Sequence, residues 1–256
     1  MIGSRRTYLL LVPLCALQLR ADIVPILLGG IALPILMLAL FPALSANVSG
    51  VVLVPLLGVT LLVIPQAVAR LRRQGQFTYF AGLAISRYPL LLALLTIYAV
   101  VALLATSITT LATMLIVQRH VTVSMGNLIV VIPLVYLALA GFGMLLGIVM
   151  PHQSGVVMVS IILALLLLAG MPPLASQHAP QALTTLAGVL PLGLAQQAFT
   201  TNQVLSVVAN LSGLLVYAPI GFFLSAYILP WRIEARANVL TRASTVLAPP
   251  PTIPMP

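Results

Sequence analysis

Charged residues stand almost only at the edges of long apolar runs, and nearly all of them fall where one face of a membrane would lie. The chain has 11 arginines, no lysine, one aspartate (Asp22) and one glutamate (Glu234). With the first span leaving the cytoplasm, Arg5, Arg6, Arg20, Arg70, Arg72, Arg73, Arg87, Arg232, Arg236 and Arg242 fall inside, and only Arg119 falls outside. Such a bias over short loops sets orientation, because loops rich in arginine are held on the cytoplasmic side. It also accounts for the basic net charge, which is therefore no sign of nucleic-acid binding. The sequence reads as an all-α, multi-pass membrane protein with both termini in the cytoplasm.

A hydrophobic content of 62% with 5% charged residues lies far from soluble domains, in which about a quarter of residues are charged. The length leaves room for about six spans of roughly 20 residues, making one transmembrane domain over residues 1–256 and no soluble one. No span is preceded by a cleavable signal with a small-residue cleavage site. The sole cysteine, Cys15, allows neither a disulfide nor a thiolate metal site within one chain. Arginine without lysine, with abundant Leu, Ala and Val, points to a GC-rich bacterial genome and so to a bacterial inner (plasma) membrane.

Residues 7–20 are mostly apolar, interrupted by Pro13 and bounded by arginines. That stretch is too short to cross a hydrocarbon core of about 30 Å and reads as an elbow helix lying in the cytoplasmic interface. The alternative, an extension of the first span, would carry Arg20 and Asp22 deep into lipid at considerable cost. Asp22 is expected to pair with Arg20 or a neighbouring arginine, or to meet headgroup water, in a structural role. Spans are expected at 23–44, 51–69, 89–117, 128–150, 156–170 and 204–229. In the fourth, Gly143 and Gly147 either allow close helix packing as a Gly-x-x-x-Gly pair or are ordinary small residues. The outside segment 171–203 carries Pro172, Pro173, Pro180 and Pro191 and several polar side chains. It suits short helices dipping back into the outer leaflet, or a loosely ordered loop. Trp231 and Arg232 anchor the end of the last span, and the Pro-rich tail, 243–256, reads as disordered.

Little here could do chemistry. Without lysine there is no Gly-x-x-x-x-Gly-Lys phosphate loop; His-Glu-x-x-His is missing, and one aspartate cannot make an aspartic dyad. The run His152-Gln153-Ser154-Gly155 lacks the leading glycine of a serine intramembrane protease. No catalytic, metal-binding or cofactor-binding residue is expected in the chain. If it moves something, the energy comes from a partner.

The most specific segment is the inside loop between the second and third spans. It runs from Arg70, Arg72 and Arg73 through Gly75 and the aromatics Phe77, Tyr79 and Phe80 to Ser86 and Arg87. A basic start, a glycine, a short aromatic helix and a Ser-Arg opening the next span resemble the coupling loop of permease subunits of type-2 ATP-binding cassette (ABC) exporters. The likeness covers the whole order of elements: elbow helix, six spans, and a proline-bearing re-entrant segment with Leu190-Pro191-Leu192 before the last span. Gln74 stands where the family often has an acid, and Leu83-Ala84-Ile85 where a proline is common.

The resemblance implies that Arg70, Arg72, Arg73, Gly75, Phe77, Tyr79, Phe80, Ser86 and Arg87 form the face that docks on the ATPase. It implies that Pro172, Pro173, Pro180, Leu190, Pro191 and Leu192 shape the outside re-entrant segment. It further implies two copies of a separate ATPase carrying ATP and Mg, and a second permease protomer, identical or homologous, among membrane lipids. The uncharged spans favour an amphiphilic or hydrophobic cargo such as a drug, an antibiotic or a lipid-linked molecule. Two other classes fit the same composition: a partner-free carrier or lipid-moving protein, and a non-transporting membrane scaffold or immunity protein. For the arginines a plain topogenic role, and for the aromatics interfacial anchoring, stand beside the docking role.

Overall fold

The computed structural model describes residues 2–40, 48–83, 85–117, 125–169, 188–200 and 204–229, and among these there is no β-strand. Five helices are long and apolar enough to cross a membrane: Thr7–Leu40, Gly50–Arg73, Arg87–Leu115, Ile129–Val149 and Val207–Ile228. Almost every residue of the second is buried, whereas the first and last turn most of their surface outward. The second is therefore the axis of the bundle, and the outer helices meet lipid or a partner with apolar side chains.

The first helical stretch is unbroken. Helix α1 (Ile2–Pro25) passes into a wide π-helical segment (Ile26–Ala32) and then α2 (Leu33–Leu40). The second stretch repeats the design, with α3 (Val48–Leu57), a π-helical segment (Gly58–Val63) and α4 (Ile64–Arg73). Pro34 and Pro65 follow two residues after the wide turns. A proline ring clashes with the carbonyl four residues earlier, and a widened turn relieves that contact. The two wide segments pack on each other, and a methyl on Gly58 would stand 2.1 Å from the Gly29 carbonyl oxygen.

The short helix α5 (Gln76–Gly82) leads to α6 (Arg87–Val117), followed by α7 (Met125–Val149) and α8 (Gln153–Ala169). The described chain ends with α9 (Pro191–Thr200) and α10 (Val204–Ile228). Gly143 and Gly147 are sites of close packing: a methyl on Gly143 would lie 2.0 Å from the Thr60 carbonyl oxygen, and one on Gly147 2.6 Å from that of Pro65. Helix α7 thus lies backbone-to-backbone on the central stretch, which apolar packing in lipid requires of small residues.

Elbow and first span form one continuous helix, Thr7–Leu40. Tyr8 and Asp22, fourteen residues apart, bond to Thr96 and Tyr98, which are two residues apart on α6, and Gly30 lies against Ala105 further along it. Continuity through Asp22 was the arrangement that burial cost argued against. The cost is met because Asp22 finds two partners inside the protein.

Other bounds shift modestly. The second helix runs on through Arg73, so its arginines belong to the helix and do not follow it. Helix α8 has 17 residues and begins at Gln153, three residues before the expected fifth span. Residues 41–44 of the first expected span and the tail 243–256 lie outside the described residues, as do Pro172, Pro173 and Pro180. Leu190 precedes α9, Pro191 opens it at the position that needs no N–H, and Leu192 is buried. Ten residues long, α9 packs against α3, α7 and α10 at the end of the bundle opposite the arginines.

Candidate functional site

The loop 70–87 begins where α4 stops, and the stop is written in three residues. The last turn carries Arg70, Arg72 and Arg73, cations beside the unpaired carbonyls of a helix C-terminus. The Gln74 N–H then donates to the Arg70 carbonyl at 2.9 Å and that of Gly75 to Arg72 at 3.0 Å. Gly75 adopts φ 68°, the left-handed conformation that a glycine takes without strain. Its carbonyl accepts the first bond of α5, from the Tyr79 N–H at 2.9 Å.

Each arginine of the cluster is held by this protein's own bundle. Arg70 donates to the Asp22 carboxylate at 2.5 Å and to the Ala21 carbonyl at 2.9 Å. Arg72 spreads its guanidinium over the carbonyls of Ile148 and Met150, capping the end of α7. Arg73 reaches the Gln153 side chain at the start of α8. Gln18 bonds to Gln76, which in turn donates to Gln74 at 3.1 Å. Arg87 stacks over its neighbour Tyr88, 5.4 Å from the ring centre, and Ser86 is exposed. The loop is thereby tied to α1 and the α7–α8 turn as well as to the two helices it joins.

The aromatics divide. Phe77 and Phe80 are buried, closing the underside of α5 against the bundle, while Tyr79 is 65% exposed and Leu83 54%. Tyr79 and Leu83 are four residues apart and share the outer face of the short helix. With Ser86 and the exposed but bonded Arg73 and Gln74, they are the exposed side chains among the described residues of this loop. The sequence reading placed all nine residues on one docking face. Burial assigns Phe77 and Phe80 to holding the helix in place, and Arg70 and Arg72 to fastening the loop.

The sequence reading expected Asp22 to pair with Arg20 or a neighbouring arginine; its arginine is Arg70, at 2.5 Å, and it also accepts at 2.6 Å from the hydroxyl of Tyr98, which the sequence reading did not single out. The signal was an acid near the end of an apolar run with arginines able to reach its depth; the tyrosine had none. Elsewhere, a cleft of about 270 Å³ opens between α6 and α7, lined by Leu92, Leu95, Ala99, Ile132 and Leu137. Its one tyrosine hydroxyl, on Tyr136, is spent on the Leu95 carbonyl at 2.6 Å. Cavities for drug-sized ligands measure about 300–1,000 Å³ and place polar groups to orient them; this cleft lies just below that range, and its other hydroxyl, on Thr96, donates to the Leu92 carbonyl at 2.9 Å. Comparison with family models, curated proteins and solved structures finds no match for this chain.

Proposed function

We propose that the chain is the permease subunit of a bacterial type-2 ABC exporter, moving an amphiphilic or hydrophobic compound across the inner membrane. In this reading it has six spans, with α8 as the fifth and α9 as part of a re-entrant segment, and both termini are cytoplasmic. The N-terminal part of α1 is the interfacial elbow. Two protomers enclose the transport path between them. Each protomer offers α5 to one copy of an ATPase, whose closure on ATP and Mg drives the change of access.

The observation that carries the reading is α5 and its surroundings. A seven-residue helix stands at the arginine-bearing end, fastened underneath by Phe77 and Phe80, and presents Tyr79 and Leu83 outward. A mere connection between two spans needs no such fastening to α1 and to the α7–α8 turn, neither of which it joins. A part that receives force does.

Purification of the tagged chain from native membranes tests the proposal. A separate polypeptide with a phosphate-binding loop is expected to co-elute, and all ATP hydrolysis is expected to reside in it. A chain that purifies alone and catalyses movement of a lipid or drug without ATP would establish the partner-free carrier instead.

A further inference from the structure

Helix α1 has an unusual means of attachment. Its outward face carries exposed Leu9, Leu10, Leu14, Leu17, Val24 and Leu27. In lipid such side chains gain nothing by choosing protein over acyl chains, so apolar contact alone does not fix where the helix sits. The inward stripe is different: Tyr8, Leu11, Cys15, Gln18 and Asp22 recur at three- and four-residue spacing, and three of them are polar. Asp22 is the most demanding. Its side chain is 1% exposed, one oxygen takes both Arg70 and Tyr98, and the other has no hydrogen-bond partner among the described residues.

A buried carboxylate with one oxygen unsatisfied is a poor stabilising device, since apolar replacements of buried ion pairs often hold as well or better. What it supplies is a fixed address. Arg70 grips two consecutive residues of α1, the Asp22 carboxylate and the Ala21 carbonyl. It stands one turn before the left-handed Gly75 that opens α5. Asp22 therefore joins the first helix to the same turn that carries the loop helix, and Tyr98 joins α6 to both.

We infer that Asp22 is a positioning residue: it makes the first helix and the inner loop move as one body, so that a push on α5 reaches α1. The use made of that motion rests on the transport reading; the mechanical link does not. Spin-label distances in the purified, full-length chain test the link without any ATPase. Cysteines replace exposed Leu17 on α1 and exposed Leu83 beside α5, in a background of Cys15→Ala and Gln18→Ala, the latter because Gln18 bonds directly to Gln76 of α5 and would hold α1 to the loop without Asp22. A control pair uses Leu83 and exposed Val149, which communicate through Arg72 and not through Asp22.

The parent is expected to give a single narrow peak for both pairs. Asp22→Asn, which keeps shape and loses charge, is expected to abolish the narrow Leu17–Leu83 peak and leave the control pair unchanged. Asp22→Glu is expected to restore it. The double change Asp22→Asn with Arg70→Gln is expected to broaden the peak no further than Asp22→Asn alone. Should Asp22→Asn not insert, Tyr98→Phe removes one of the two bonds and is expected to broaden the same peak. An unchanged Leu17–Leu83 peak in these variants would overturn the inference, and so would equal broadening of both pairs, which signals general loosening. Failure of the exporter reading would show separately, as no ATP-dependent distance change in the parent once the co-purified membrane complex is used.

Discussion

Replacing Gly141 by alanine tests the packing that holds the last helix to the bundle. Helices α7 and α10 touch backbone to backbone there. A methyl on Gly141 would lie 2.8 Å from both Cα and the carbonyl carbon of Gly221, and one on Gly221 2.9 Å from the same atoms of Gly141. Neither neighbour is a side chain that can rotate away, so the helices must separate by roughly 0.5–1 Å, enough to forfeit a quarter to a half of each contact at the crossing. Forced overpacking of this kind costs about 1–3 kcal/mol. The separation also strains the bond from Ser225 Oγ to the Gly141 carbonyl, 3.0 Å long and buried, worth about 0.6 kcal/mol by the average for bonds between membrane helices. The sum is about 1.6–3.6 kcal/mol, or roughly a 14- to 370-fold shift in the folded ratio at 1.4 kcal/mol per tenfold. Reversible unfolding in mixed micelles measures it. Gly82→Ala is the control, because a methyl there meets nothing within 4 Å. A Gly141→Ala protein within about 0.5 kcal/mol of the parent, the range of neutral surface changes, would refute the crossing geometry.

Two further outcomes follow from the loop and the charge pattern. Phe77→Ala is expected to lower stability by about 3 kcal/mol, as truncation of buried phenylalanines does, while Tyr79→Ala stays within about 0.5 kcal/mol; equal losses in the same unfolding assay would contradict the division of the aromatics. Single cysteines at Gln74 and Gln153 are expected to label from the cytoplasm, and those at Asn47, Arg119 and Gln177 from outside, with labelling of Gln74 from outside overturning the orientation.

What the sequence makes legible here follows from which forces are local. Apolar runs set by the bilayer are visible in composition, so the long helices fall close to where hydropathy places them. The turn after Arg73 is visible because glycine with a positive φ is a local matter, as Gly75 illustrates. The spacing of Gly143 and Gly147 admitted close packing, and their place against Thr60 and Pro65 realises it. Continuity of α1 through Asp22 was not legible, because the burial cost of that carboxylate is met by Arg70, 48 residues away, and Tyr98, 76 away. The facing of Phe77 against Tyr79 depends on how α5 rests on the bundle, which no local pattern of seven residues determines. The arginines show a further limit: a topogenic cluster and a set of fastenings have the same sequence, and only their partners distinguish them, Asp22 and Ala21 for Arg70, the carbonyls of Ile148 and Met150 for Arg72, and Gln153 for Arg73.

The central claim is that the outer face of α5 receives an ATPase, and contact is its most direct measure. A photo-reactive residue is placed at Tyr79 or Leu83 in the otherwise intact chain, and at Ile129, equally exposed but at the opposite end. After illumination of native membranes, the account expects a cross-link to an ABC ATPase from Tyr79 and Leu83 and none from Ile129. Absence of that cross-link at both loop positions, in membranes where the chain is present and folded, would contradict it.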